Sequence, residues 1–348
     1  MVKHVIRSLF FTTLLVIAAC GNEEEPIEIE ETPEAVATAG DDITISEPEP
    51  AFTSPLTGLK SAEPLNHRVI GVTISNHSNA RPQSGLQAAD IIYEVLAEGE
   101  ITRFVALYHS QYPERVGPVR SVRPYHIDLV QGYDGLLVTH GWSPAAEQML
   151  TTGRADYLNG LHYDGTLFER SQDRRAPHNS YIRFANIQKG LTDRGYTLSG
   201  DVEPLEYVDS ESVISGIDAN EVTINYSSRY QVTYRLNEET GRYSRYNGEA
   251  QTVDDDTKTP IEISNLLIVE MNHRVLDDAG RREINVASGG RGMLVQAGKG
   301  QYVEWRQEDG RILPFVDGKV VPFLPGQTWI NIIPTALGLD ESVAIENE

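Results

Sequence analysis

The apolar positions between residues 55 and 200 form short runs that alternate with helix-like segments. Residues 68–75 and 91–97 are predicted strands, and the second is apolar on both faces except for Glu94, as expected of a central strand. Two further strands are predicted over residues 103–108 and 135–139. The predicted helices cover residues 124–132, 145–150 (N-cap Ser143) and 181–194 (N-cap Ser180). This alternation predicts an N-terminal α/β or α+β domain over 55–200, with a mixed sheet covered by helices.

The pattern changes after residue 205. Apolar residues alternate with polar ones over 222–226 and 232–236, which is typical of half-buried strands. Further strands are predicted over 266–271, 293–296, 302–305 and 328–333, with turns at Asn247-Gly248, Gly289-Gly290 and Asp317-Gly318. We therefore predict a second, predominantly β domain over 205–335, a sandwich or open barrel, followed by a tail over 336–348.

The first nineteen residues have the pattern of a signal peptide. Lys3 and Arg7 precede an apolar run too short for an ordinary membrane span, and the run ends in Ile17-Ala18-Ala19-Cys20. This ending resembles the bacterial lipobox, which implies that Cys20 receives diacylglycerol and fatty acyl chains such as palmitate. A plain secretory signal or an uncleaved anchor is the alternative. We expect an extracytoplasmic protein anchored to the bacterial membrane through Cys20, and two acyl chains are enough for stable anchoring.

The segment 20–54 is predicted to be a disordered acidic tether. It has eleven Asp or Glu and no Lys or Arg between Gly21 and Pro50, too little apolar surface to fold. The whole chain has a formal charge of −22, and without the signal cations and the tether acids the body still carries −13. That balance argues against nucleic acid as a partner. Cys20 is the only cysteine, so no intramolecular disulfide can form.

Three polar clusters in the first domain combine arginine or histidine with turn residues: 117–126, 140–144 and 174–179. Each lies beside a predicted helix start or in a long irregular loop, where backbone N–H groups favour anions. The arginines either pair with the protein's own acids or hold an anionic ligand. We predict that the three clusters meet in one anion site. Its candidate ligand-binding residues are Arg120, Ser121, Arg123, His140, Trp142, Arg175, His178 and Asn179.

A catalytic interpretation uses Glu94 or Glu98 with His140 or His178 as an acid–base pair. Glu94 in an apolar strand needs a partner, and Arg103, Arg120 and Arg123 are the candidates for a structural ion pair. The histidines of this region, with Asp164, match no compact metal motif, and we expect neither a metal nor a cofactor. Ser121 lacks an identifiable general base.

Several segments resemble one known family. They are 54–59, 80–86, Ala89-Asp90-Ile91-Ile92-Tyr93-Glu94, Gly117-Pro118-Val119-Arg120-Ser121, Ala176-Pro177-His178-Asn179 and Gly326-Gln327-Thr328-Trp329-Ile330. They are similar to the YerB-like bacterial lipoproteins, whose two parts are the N- and C-terminal regions of domain of unknown function 3048. The resemblance covers nearly the whole body and implies architecture and location, but it carries no established activity.

Two functions are compatible with these patterns. The first, which we favour, is binding of an anionic cell-envelope component, either a phosphate-bearing polymer or a muropeptide carboxylate. The alternative is a cell-envelope hydrolase or transferase that uses the Glu/His pair. An enzyme requires a carboxylate and a histidine in one concave pocket, whereas a binding site requires only donors. The sequence leaves the oligomeric state open.

Overall fold

The computed structural model describes residues 52–208 and 213–346. The predicted signal peptide, Cys20 and residues 20–51 of the predicted tether lie outside the described residues. The described residues belong to one compact unit.

The elements are numbered along the described chain. The helices are α1 (Pro124–Gln131), α2 (Pro144–Thr151), α3 (Gly160–Tyr163), α4 (Phe184–Asp193) and α5 (Gly338–Ser342), with a 3-10 turn at Ser78–Ala80. The strands up to residue 218 are β1 (Phe52–Thr53), β2 (Lys60–Ser61), β3 (Ile70–Ser75), β4 (Ile91–Glu98), β5 (Ile101–Tyr108), β6 (Arg115–Val116), β7 (Leu136–Thr139), β8 (Tyr157–Asn159), β9 (Phe168–Arg170), β10 (Ser180–Arg183) and β11 (Ile217–Asp218). The later strands are β12 (Glu221–Ser227), β13 (Tyr230–Asn237), β14 (Arg242–Asn247), β15 (Ala250–Gln251), β16 (Glu262–Ile263), β17 (Asn265–Met271), β18 (His273–Val275), β19 (Arg282–Ile284), β20 (Gly290–Gln296), β21 (Lys299–Glu308), β22 (Arg311–Val316), β23 (Lys319–Val320), β24 (Thr328–Pro334) and β25 (Val343–Glu346).

One large mixed sheet runs through the body in the order β23-β22-β21-β20-β17-β24-β4-β5-β3-β7-β8. The strand β24 lies between β17 and β4 and is parallel to both, with Thr328 opposite Ile91 on one side and Asn265 on the other. Both β24 and β4 are completely buried or nearly so, as expected for strands covered on both faces. The predicted domain boundary between residues 200 and 205 therefore does not separate two sheets, because strands from both segments form this one.

Packing on the two faces of the large sheet builds two cores. On one face lies an antiparallel sheet, β15-β14-β13-β12-β25, and its Val222, Ile224 and Tyr234 share a core with Phe104 and Trp329. Helix α4 joins the same core. On the other face α1 and α2 pack in a second core, to which the β19 and β21 segments also contribute. The fold is mixed α+β, with a predominantly β C-terminal part.

Most predicted elements are confirmed, but the predicted helix start at Ser180 was wrong. Ser180 does not cap a helix: Ser180–Arg183 is the strand β10, and α4 begins at Phe184, because Tyr181 and Ile182 are buried between β6 and β9. The predicted tether ends earlier, since β1 pairs with β2. The predicted tail 336–348 contains α5 and β25, which pairs with β12.

Candidate anion-binding site

The start of α1 presents Arg123 as the N-cap residue. Pro124 occupies the first helical position, which fixes φ and favours the extended conformation observed at Arg123. The Arg123 side chain is 9% exposed and forms an ion pair with Glu98 at the end of β4. Arg103 binds the same carboxylate, with 2.5 Å between Nη2 and Oε2, and donates to the Ser121 carbonyl. Two buried arginines thus share one carboxylate.

These contacts decide between the two interpretations of Arg123. Its guanidinium pairs with the protein's own acid, and the partner is Glu98 rather than Glu94. Both Glu98 oxygens face arginines, and no histidine is among its described partners. Glu98 is therefore an anchor for the loop that precedes α1.

Glu94 lies in a buried network that joins the two predicted segments. Its Oε2 accepts from Nη2 of Arg245 on β14 at 2.9 Å, and both side chains are fully buried. Its Oε1 accepts from Asn76, Thr102 and Tyr230. The prediction of a structural ion pair is confirmed, but all three expected partners, Arg103, Arg120 and Arg123, were wrong.

Arg120 differs from its neighbours because no carboxylate lies within 4 Å of it in the part of the chain that the structure describes. Its backbone is firmly held: the Arg120 carbonyl accepts from Thr73, Thr139 and the His140 N–H. Its half-buried guanidinium makes one long contact, 3.5 Å from Nη1 to the Pro177 carbonyl. Burial, and then the charges of Arg103 and Arg170, lower the pKa of Arg120 to about 10. The group still carries its charge at neutral pH.

His140 is held between a cation and a hydroxyl. Its Nε2 lies 3.1 Å from Nη2 of Arg170, a group that can only donate. The proton of the neutral ring is therefore on Nδ1, which donates to Ser180 Oγ at 2.7 Å. Burial and the Arg170 charge lower the pKa of His140. This arrangement gives His140 no free basic nitrogen with which to activate Ser180.

Arg170 connects the second and third clusters. It pairs with Asp164 at 2.8 Å and donates to Asn179 Oδ1 at 3.1 Å. A Cβ on Gly160 would lie 2.3 Å from the His140 ring, so the absence of a side chain there allows the ring to sit against α3.

The remaining predicted site residues differ in their contacts. His178 stacks on His77 with ring centroids 4.4 Å apart, and burial and neighbouring cations lower its pKa. Ser121 Oγ contacts the His140 carbonyl at 3.3 Å. Trp142 contacts His162 and Tyr157 edge to face, while Arg175 is exposed and has no described side-chain partner.

The structure thus places the three clusters next to one another. Arg120 touches the third cluster through Pro177, Ser121 touches the second through His140, and Arg170 joins the second and third. We name the group of Arg120, His140, Arg170 and His178 the Arg120 cluster. Arg123 and Glu98 lie beside it as a separate ion pair, and Glu94 belongs to the core.

Sequence reasoning did not find Arg170, the last residue of β9, although its place just before the third cluster was a usable signal. It did not find Arg245 either, because nothing local in β14 distinguishes a buried arginine from the exposed ones around it.

No helix among residues 52–208 and 213–346 is long and apolar enough to cross a membrane.

Comparison with known proteins identifies relatives over most of the body. Residues 56–197 match the family "Protein of unknown function (DUF3048) N-terminal domain", and residues 222–330 match its C-terminal domain. The chain is 44% identical over 285 residues to the "Putative lipoprotein YerB" of Bacillus subtilis (strain 168), covering 81% of this chain and 86% of the relative. A crystal structure of YerB protein from Bacillus subtilis matches with a TM-score of 0.79 and 42% identity, over 85% of this chain and 100% of that chain. The chain therefore belongs to the YerB-like family, defined by the N- and C-terminal DUF3048 domains.

Proposed function

We propose that this protein is an extracytoplasmic lipoprotein, anchored to the membrane through Cys20, whose body binds an anionic cell-envelope component. The lipobox-like sequence before Cys20 and the name of the Bacillus subtilis relative support the anchor. The ligand class is a phosphate-bearing polymer or the carboxylate of a muropeptide. The binding residues are those of the Arg120 cluster.

The observation that carries the proposal is the uncompensated charge of Arg120. Burying a guanidinium without an acid is costly, and here Arg103 and Arg170 add like-charge repulsion. Asp164 offsets Arg170 but has no described contact with Arg120. An oxyanion at Arg120 would remove this cost and would find further donors in the surrounding side chains.

The contacts of the carboxylates favour binding over acid–base catalysis. Glu94 is fully buried against Arg245, and Glu98 is shared by Arg103 and Arg123. His140 donates from Nδ1 and accepts at Nε2, so it has no free position for a substrate proton. No observation among the described contacts favours the hydrolase or transferase alternative.

The test compares thermal melts of the full chain in detergent with and without inorganic phosphate. Phosphate at about 100 times its dissociation constant should stabilise the wild type by roughly 2.7 kcal/mol. Arg120→Gln should lose most of this gain and should be at least as stable as the wild type in plain buffer, because the substitution removes an uncompensated buried charge.

Arg175→Gln is the matched control, since Arg175 lies in the same loop as His178 but is exposed and has no described partner. It should respond to phosphate as the wild type does. The proposal fails if phosphate shifts no melting curve, or if Arg120→Gln and Arg175→Gln respond alike.

A further inference from the structure

A cleft of about 790 Å³ lies between the starts of α1 and α2 and the β18–β19 hairpin. The hairpin comes from the C-terminal part of the chain, so both predicted segments line the cleft. Its size is within the range of small-molecule sites and exceeds what a single inorganic anion fills.

Four arginines line the cleft, and three of them have acid partners. Arg123 pairs with Glu98, Arg274 with Glu283 and Arg281 with Asp277. Arg282 has no salt bridge within the described residues: its Nη2 donates to the Gly99 carbonyl at 2.6 Å, and its Nε has no hydrogen-bond partner there. The Nε of Arg123, on a side chain that is nine-tenths buried, also lacks a described partner. The cleft therefore has one uncompensated positive charge.

The two helix starts add one accessible backbone donor at the same place. In each, proline occupies the first helical position, and the third N–H is satisfied: His126 donates to the Arg123 carbonyl and Ala146 to Ser143 Oγ. The second N–H belongs to Tyr125 in α1 and to Ala145 in α2. Both residues line the cleft, but Tyr125 is almost fully buried, whereas Ala145 is exposed. A helix supplies no internal acceptor for that N–H. One exposed backbone donor and one guanidinium without an acid partner match a single carboxylate.

The walls of the cleft determine what the rest of the ligand is. Pro124, Pro144, Leu276 and Ile284 present apolar surface, and the cleft is also lined by Asn272 and Asn285. An asparagine amide both donates and accepts, which suits a peptide group. A polyanion does not fit, because the other charges of the cleft are already paired and only Arg282 is free.

We propose that this cleft binds a short peptide through its free C-terminal carboxylate, held by Arg282 and the N–H of Ala145. This mode is a recurring way to capture a chain terminus. The inference concerns a different set of residues from the Arg120 cluster and does not depend on the proposed function.

The test is calorimetric titration of the full chain in detergent with tri-alanine and with tri-alanine amide. The free acid should bind at least tenfold more tightly than the amide. Arg282→Gln should weaken binding of the free acid at least tenfold. Leu276→Glu should do the same by adding a repulsive carboxylate to the wall, and since Leu276 is 52% exposed this variant should keep its fold. Arg306→Gln, an exposed arginine of β21 outside the cleft, should bind tri-alanine as the wild type does.

Four results would overturn the proposal. One is equal binding of tri-alanine and tri-alanine amide. Another is a dissociation constant for tri-alanine weaker than about 1 mM. The third is wild-type affinity in both Arg282→Gln and Leu276→Glu. Inorganic phosphate that binds the cleft more tightly than tri-alanine would also contradict a peptide ligand.

Discussion

Glu94 Oε2 and Arg245 Nη2 lie 2.9 Å apart, on side chains that are both fully buried and 151 positions apart in sequence. The Arg245 guanidinium also lies 5.0 Å from the ring centroid of Trp329, a residue of the strand that pairs with β4. The pair thus connects the antiparallel sheet to the large sheet. It makes the two predicted segments depend on each other for charge compensation.

Removing one member of this pair should be severe. Glu94→Gln leaves the Arg245 charge buried without its acid, and we expect a loss of about 3–5 kcal/mol in the free energy of unfolding. The double variant Glu94→Gln/Arg245→Met should be more stable than Glu94→Gln alone, because no isolated charge remains. Urea denaturation of Glu94→Gln, Arg245→Met and the double variant measures these losses. If the two single losses simply add in the double variant, the side chains are not coupled.

We expect the segments 55–200 and 205–335 not to fold when produced separately. Each would expose the edge of a strand that is central in the whole chain, β4 in the first and β24 in the second. Circular dichroism of each purified segment should show little cooperative unfolding, and mixing the segments should restore it. A cooperative melt of either segment alone would show that it is an independent domain.

Arg120 and Arg123, on either side of Ser121, should respond differently to substitution. Arg123→Gln breaks the ion pair with Glu98. The Glu98 carboxylate is partly exposed and still has Arg103 as a partner. We expect a loss of about 1–3 kcal/mol in the free energy of unfolding, less than for a fully buried pair. Arg120→Gln should lose nothing, since it has no described acid partner. Denaturant titrations of both variants check this, and equal losses would contradict the assignment.

Local signals in the sequence were sufficient for most elements. Ser143 before Pro144 predicts the start of α2, where Ser143 Oγ accepts from the Ala146 N–H. Period-two alternation predicts β12 and β13. In contrast, Ser180 carries an equally good cap signal but lies in a strand, because burial of Tyr181 and Ile182 between two other strands outweighs a capping hydrogen bond.

What the local pattern could not supply is the pairing of distant residues. Nothing near Thr328 indicates that β24 inserts beside β4, and nothing near Glu94 indicates Arg245. The residues of the candidate anion site were predictable as polar clusters in loops. Which arginine is paired and which is free depends on the position of Glu98, and only the folded chain shows that.

The lipid anchor can be tested by substitution of Cys20, which lies outside the described residues. Cys20→Ser should abolish incorporation of labelled palmitate and shift the protein from the membrane fraction towards the soluble one, while the melting temperature of the body stays the same. The reason is that Cys20 precedes the compact unit and is the only cysteine in the chain. Equal palmitate labelling of both forms would exclude lipidation at this position.

The pH dependence of stability should contain two opposed contributions from neighbouring residues. Burial, and then His67, lower the pKa of His109 from 6.5 to about 4, and its Nδ1 is buried without a described partner. The unfolded chain takes up this proton first, so the contribution of His109 is complete above pH 6.5 and is lost progressively as the pH falls towards 4. Burial raises the pKa of Asp90 from 3.8 to about 6. Here the folded chain takes up the proton first, so its contribution is complete below pH 3.8 and is lost as the pH rises through 6.

The two residues are neighbours, since the backbone N–H of His109 donates to Asp90 Oδ2 at 2.5 Å, and variants are needed to separate the contributions of the imidazole and the carboxylate. In Asp90→Asn only the histidine contribution remains, and the free energy of unfolding should fall more steeply than in the wild type between pH 6.5 and 4. In His109→Gln only the carboxylate contribution remains, and the slope over the same interval should flatten or reverse. Urea denaturation at several pH values measures these slopes. Parallel curves for the two variants would mean that neither group titrates as its burial requires.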